Sequence, residues 1–222
     1  MYLFLDNEMG GLDKEKYSLL TVYLKMTDDN FNLIGSLYLY LKPEDGIYKV
    51  CADAMAINKI DLVEHDKKAT TYKLGGTALY NWLKELTDNG KVKATVVGHG
   101  IYGDVDWITY HLIGRNSWEN FTSYRKLDTS AVAQFLRSVG MIPESVSGSL
   151  VSLAKHYNVG VDETSAHDAK YDTELTFRVF LAMRKQLLNV SQYQPCPECE
   201  ERSRLDGEAQ DGLANAGVWN HG

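Results

Sequence analysis

Several absences set the first bounds. No apolar stretch approaches the roughly 20 residues that a helix needs to cross a bilayer, and no signal-peptide pattern is present. Cysteine is scarce and odd in number: Cys51, Cys196 and Cys199 in a chain of 222 residues. Together these argue for a reducing, cytoplasmic setting over a disulfide framework. Positive charge is not in excess either, with 23 Lys and Arg against 30 Asp and Glu, for a net charge of -7. That balance argues against nonspecific coating of duplex DNA, which relies on many phosphate contacts. A polyanionic substrate held through metal ions and a local basic rim remains open. Internal repeats are missing, and so is any polymerase-like region.

What is present is organised around Tyr2-Leu3-Phe4-Leu5-Asp6-Asn7-Glu8-Met9-Gly10. Four apolar residues bounded by polar and glycine positions predict a short buried strand. Side chains two apart on a strand project from the same face, so Asp6 and Glu8 point together. Two carboxylates held that close in a partly dry site repel, which raises at least one pKa unless a cation lies between them. Oxygen ligands suit Mg²⁺ or Mn²⁺. The alternative is a strand end running into solvent with two ordinary surface acids.

The rest of the chain reads as α/β. Segments 17–25 and 33–41, with Thr27-Asp-Asn-type turn chemistry between them, predict an antiparallel hairpin after the first strand. Their tyrosines read as core and sheet face. Helices are predicted over 51–59, 77–88, 104–113, 129–139, 149–157 and 169–188, and short strands over 94–97 and 125–128. In the helix over 77–88, Leu79, Trp82, Leu83 and Leu86 share one face; Asp128 suits the N-cap of the helix that follows it. Residues 61–73 read as a polar connection. From 191 on there is no periodicity, so 191–222 reads as a flexible tail and 1–190 as the folded domain. Cys196 and Cys199 form a lone half-motif, short of the four ligands of a structural zinc.

Two further clusters bear on Asp6 and Glu8. Gly98-His99-Gly100-Ile101-Tyr102-Gly103-Asp104 joins a strand to a helix, and His167-Asp168-Ala169-Lys170-Tyr171-Asp172 opens the last helix. Each puts an acid near a helix N-terminus of an α/β sheet, where ligands bind. Asp104 and Asp172 would complete four carboxylates around a metal pair. Asp106 is a rival to Asp104, but on a helix only one of the two can face the metals.

Phe4-Leu-Asp-Asn-Glu8, Gly98-His99 with Asp104, and His167-x-Ala-x-x-Asp172 resemble the three motifs of the DEDD 3′–5′ exonuclease superfamily. The H-x-A-x-x-D form is that of the DEDDh branch, which holds proofreading subunits of DNA polymerases, RNase T and oligoribonuclease. The resemblance runs from Tyr2 to Leu188 in order and spacing. It implies an RNase H-like mixed central sheet, an antiparallel meander followed by parallel strands, flanked by helices. It makes Asp6, Glu8, Asp104 and Asp172 the ligands of two divalent ions, Mg²⁺ or Mn²⁺, and His167 the general base. Asn7, Met9 and Gly10 would line the terminal nucleotide. Gly100 and Gly103 depart from the family, which has Asn and an aromatic there.

The activity so implied is 3′–5′ hydrolysis of single-stranded DNA or DNA ends, releasing nucleoside 5′-monophosphates. Histidine suits the base role because it exchanges a proton near neutral pH. His99 and Tyr102 are further candidates for substrate contact, with a structural role as the alternative for His99. Trp107, Tyr110, Lys155, Lys170 and Tyr171 could contribute a stacking platform and basic rim, although Trp107 reads as core. Trimming of short RNA, a non-catalytic nucleic-acid-binding module, and a subunit docking on a polymerase or replication partner are the competing readings. Oligomeric state stays open, a homodimer included.

Overall fold

The first strand, β1 (Tyr2–Met9), lies at the centre of a six-stranded sheet. The computed structural model describes residues 1–162 and 167–190, so Cys196, Cys199 and the segment read as a tail lie outside the described residues. The other strands are β2 (Leu19–Thr27), β3 (Leu33–Lys42), β4 (Thr70–Thr71), β5 (Ala94–Gly98) and β6 (Thr122–Asp128). Their order across the sheet is β4-β3-β2-β1-β5-β6. β1 and β2 pair antiparallel, as do β2 and β3, while β5 runs parallel to β1 on one side and to β6 on the other. This is the mixed RNase H-like sheet expected from the motifs.

Eight helices accompany the described strands: α1 (Ala52–Asn58), α2 (Leu62–Asp66), α3 (Tyr72–Leu86), α4 (Ile101–His111), α5 (Arg115–Phe121), α6 (Thr129–Ser138), α7 (Leu150–His156) and α8 (Ala169–Val190). The chain divides into a compact unit over Met1–Met183 and a second from Arg184 on, of which 184–190 close α8. Among the described residues no helix is long and apolar enough to cross a membrane.

Strand alternation divides β1 between two layers. Leu3 and Leu5 turn into a core shared with Val22, Leu24, Leu39, Leu41, Leu79 and Leu83. Phe4 turns the other way and meets Phe177 and Phe180 of α8 edge-on, at 5.0 and 5.4 Å between centroids. Such pairs stabilise by about 0.5–1.5 kcal/mol beyond the area they bury. A second core joins Ala133 and Leu136 of α6, Ile142 of the connection after it, Leu153 and Ala154 of α7, and Leu175, Val179 and Met183 of α8.

The structure departs from the sequence reading most at three helices, and β4 also falls in the stretch read as a polar connection. α2 interrupts the stretch read as polar; Asp61 caps it by accepting from the N–H groups of Val63 and Glu64 at 2.9 and 3.2 Å. α5 was not expected, and Trp118 and Phe121 bury its inner face. α3 begins at Tyr72, well before residue 77; the poor helix formers Gly75 and Gly76 lie inside it and hide its start from the sequence pattern. Those glycines let the helix backbone press on its neighbours. A Cβ on Gly76 would meet the Leu112 carbonyl oxygen at 2.3 Å, and one on Gly75 would meet Leu41 at 2.5 Å.

Alanine at an ordinary helix interior gains close to 1 kcal/mol over glycine. At Gly76 the sign reverses, because the obstacle is main chain and cannot rotate away. Gly76→Ala should lower stability by roughly 1–3 kcal/mol, the usual cost of overpacking, measured by urea denaturation. A more stable variant would show that α3 is free to lift off Leu112.

Candidate active site

The face of β1 that carries Phe4 also carries Asp6 and Glu8, and it is the face covered by α8. Asp172 lies in the first turn of α8. Carboxylate oxygens of Asp6, Glu8 and Asp172 all lie within 4.8 Å of one another. Three acids from a strand end and a helix start therefore share one spot, well suited to a hard divalent cation. Asp104 stands in the first turn of α4, 6% exposed. Its carboxylate is outside that group of three, yet its charge still raises both Asp6 and Glu8. Asp106, the rival acid, is held by Lys14 and Arg115.

Asn7 points to the opposite face of β1, and its Nδ2 donates to the Asp104 main-chain oxygen at 2.8 Å. The residue between the two strand acids thus fixes the helix that delivers the fourth. This tie ranks alongside the substrate contact expected of Asn7, which also borders an apolar cleft.

Burial and mutual repulsion dominate the electrostatics. Burial first, then the charges of Asp104, Glu8, Asp172 and Asp168, push Asp6 well above the usual carboxylate range. Burial with the charges of Asp172, Asp168 and Asp104 lifts Glu8 from 4.5 to about 9. Burial raises Asp104 to about 7, against the pull of main-chain hydrogen bonds. Burial also raises Asp172, opposed by the His167 N–H. Without a cation the cluster retains protons that solvent-exposed carboxylates would have lost.

His167 is exposed and takes a left-handed backbone with φ 67°. Its main-chain N–H donates to Asp172 Oδ2 at 3.0 Å, tying the residue expected to be the base to an acid of the cluster. Asp168 starts α8: its Oδ1 accepts from the Tyr171 N–H at 2.9 Å, and its Oδ2 accepts from the Tyr38 hydroxyl at 3.0 Å. A tyrosine on β3 thereby anchors the residue next to His167. Sequence reasoning missed both residues. An Asp ahead of a helix is a cap signal that was available, whereas the pairing of Tyr38 with Asp168 is a tertiary fact.

Two clefts meet at Glu8 and Asn58. One, ≈ 310 Å³, is apolar and lined by Met9, Gly11, Leu12, Ala54 and Ile57. The other, ≈ 270 Å³, is polar and includes Thr21, Tyr38, Tyr40, His65, His167 and Asp168. Asn58 holds their shared wall, donating to the Met9 carbonyl at 3.1 Å.

Met9 lines the apolar cleft. The Gly10 N–H donates to the Ser18 carbonyl and its carbonyl accepts from the Cys51 N–H; Gly11 and Leu12 join Met9 in lining the cleft. His99 is bound to Thr129 Oγ1 at 2.9 Å, the structural alternative raised for it. Tyr102 is 63% exposed on α4 with Lys126 over its ring, and Trp107 is core. Tyr110 carries Lys14 over its ring, Tyr171 packs against the second core, and Lys155 and Lys170 are exposed. Gly100 has φ 78°, a conformation that glycine and asparagine tolerate, and a Cβ at Gly103 would meet open space.

Four acids, a histidine on a helix-start loop and an RNase H-like sheet define the class of DEDDh nucleases. Residues 3–180 match the sequence model of the family described as Exonuclease, and the chain belongs to that family. Ribonuclease T of Actinobacillus pleuropneumoniae serotype 5b (strain L20) is 24% identical, over 83% of this chain and 84% of its own length. Ribonuclease T of Mannheimia haemolytica is 23% identical, over 86% and 88%. Among solved structures, E. coli Exonuclease I in complex with a dT13 oligonucleotide superposes with a TM-score of 0.64 at 21% identity. That match covers 82% of this chain, which spans about two fifths of the Exonuclease I chain (40%). Exonuclease I of Methylocaldum szegediense gives 0.61 at 19% identity, over 87% and 41%.

A pH dependence follows from the raised carboxylates. Glu8 titrates at 4.5 ordinarily and at about 9 in the fold, so across that window the folded state holds a proton that the unfolded chain has released. Stability of the metal-free protein therefore falls as pH rises. Melting temperature in EDTA should drop between about pH 5 and about pH 9, and the gain on adding Mn²⁺ should grow over the same range. A metal-free melting temperature that climbs with pH would contradict the clustered geometry.

Proposed function

We propose that the chain is a two-metal 3′–5′ exonuclease, using Mg²⁺ or Mn²⁺, that removes nucleoside 5′-monophosphates from single-stranded 3′ ends. The observation that carries this reading is the grouping of Asp6, Glu8 and Asp172 oxygens within 4.8 Å, with the main chain of His167 hydrogen-bonded to Asp172. We read 1–190 as the exonuclease domain, in keeping with a family match that ends at residue 180.

Asp6, Glu8 and Asp172, with Asp104 beside them, would hold the ions. Bound divalent ions lower the pKa of water and neutralise charge on the phosphodiester. His167, exposed at the rim, accepts the proton of the attacking water. The apolar cleft of Met9, Leu12, Ala54 and Ile57 takes the terminal base, which leaves the sugar edge against Glu8. Tyr38 holds Asp168, the residue next to His167.

DNA ends are supported by the dT13 oligonucleotide named with E. coli Exonuclease I. Trimming of RNA is supported by the name Ribonuclease T of two relatives that this chain matches over 84% and 88% of their lengths.

Incubation with 3′- and 5′-labelled oligonucleotides of both sugars, with Mg²⁺, Mn²⁺ or EDTA, tests the reading. The expected result is stepwise shortening from the 3′ end only, abolished by EDTA. His167→Ala should lower kcat by about 10²- to 10⁴-fold, the usual worth of a general base, with metal affinity kept. Asp6→Ala should remove turnover and weaken metal binding, read by calorimetry with Mn²⁺. Full activity in the Asp6 variant would dismiss the proposed metal site.

A further inference from the structure

The polar cleft holds a feature that hydrolysis itself does not use. Cross-strand register sets Glu8 opposite Thr21, and Thr21 opposite Tyr40, in one row across β1, β2 and β3. All three line the polar cleft. Thr21 is 3% exposed, and its Oγ1 is buried with no hydrogen-bond partner among the described residues. A buried hydroxyl left unsatisfied destabilises a fold, and most find a partner. Valine would fill the same space in a strand at no such cost and with good strand propensity. Other buried side-chain atoms also lack a partner among the described residues, Thr27 Oγ1 included, but of these Thr21 alone lines the polar cleft, where an arriving group could meet it.

The surroundings limit what that group can be. Glu8, Asp61, Glu64 and Asp168 outnumber Lys59 and Lys68 around the cleft, which away from bound metal ions disfavours a phosphate. The Tyr38 hydroxyl already donates to Asp168, and both polar ends of Asn58 are engaged, with Met9 and with Ile60. A neutral hydroxyl, able to donate and to accept, suits Thr21 best. A nucleotide with its base in the apolar cleft turns its sugar edge past Glu8 toward Thr21, one strand away. Adjacent strands lie about 4.8 Å apart, a spacing that vicinal sugar hydroxyls can bridge. The 2′-hydroxyl is the neutral group that separates RNA from DNA.

We propose that Thr21 reads the 2′-hydroxyl of the 3′-terminal nucleotide, so that the site favours ribonucleotide ends over deoxyribonucleotide ends. This rests on the exonuclease reading and decides between its two substrate classes.

The test uses two single-stranded oligonucleotides of one sequence, ending in a ribo- or a deoxyribonucleotide, with Mn²⁺. Wild-type kcat/KM should favour the ribo end by about 3- to 10-fold, the span expected of one hydrogen bond. Thr21→Val should bring that ratio to near one, and Thr21→Ser should restore it. The melting temperature of Thr21→Val should equal or exceed that of the wild type, which separates lost recognition from lost folding. A wild-type ratio of one or less, or a ratio unmoved by Thr21→Val, overturns the inference and leaves the exonuclease reading standing. If neither end is shortened, the exonuclease reading falls and this inference with it.

Discussion

Repulsion among buried carboxylates is the constraint on which the rest of this molecule turns. Asp6, Glu8 and Asp172 are brought within 4.8 Å of one another, with Asp104 close enough to add its charge. Held apart in water, four such groups would ionise at ordinary values. Held together in a half-dry site they keep protons, and Glu8 does so up to about pH 9. Folding to this geometry spends stability on a site that only a cation relieves. Metal affinity and conformational strain are thus two aspects of one arrangement.

The strain can be tolerated because each acid is delivered by an element anchored elsewhere. β1 is the central strand, bonded to β2 over its whole length and to β5 at its start. Leu3 and Leu5 hold one face in the main core, leaving Phe4, Asp6 and Glu8 on the other. α4 is tied to β1 by the Asn7 side chain, and α8 starts with Asp168 bound to Tyr38 of β3. Separate cores and separate hydrogen bonds therefore hold the charges that oppose one another.

What was legible in the sequence was local. An apolar run ending in two acids one residue apart predicts a strand with both acids on one face. Asp128 and its helix, the apolar face with Leu79 and Leu83, and the spacing of Leu175, Val179 and Met183 all appear as expected. Two kinds of feature were hidden. Short or glycine-bearing helices such as α2 and the start of α3 are stabilised by caps and close backbone approach, which periodicity does not register. Contacts across the sheet, Tyr38 to Asp168 and Glu8 to Thr21 to Tyr40, depend on a register that hydrophobic pattern alone leaves free. The hairpin tyrosines do lie on the sheet face, as expected; that this face continues into the polar cleft is a property of the assembled sheet.

The same register shows why core and catalytic site cannot vary independently. Phe4 precedes Asp6 by two residues on the same face, and Phe177 follows Asp172 by five on α8. The edge-on contact of those two rings at 5.0 Å therefore sets how closely α8 approaches β1. Asp6 and Asp172 inherit that spacing. A smaller side chain at position 4 would let the helix settle or tilt, and an interior packed to crystal-like density has little slack to absorb the change. Lys25 adds a second fastening on this face, bonded to Glu174 at 2.6 Å with its ammonium 3.9 Å from the Phe177 ring centroid. The hydrophobic contact lies within a helical turn or two of the carboxylates it spaces, so the precision of the metal site is set by ordinary core packing.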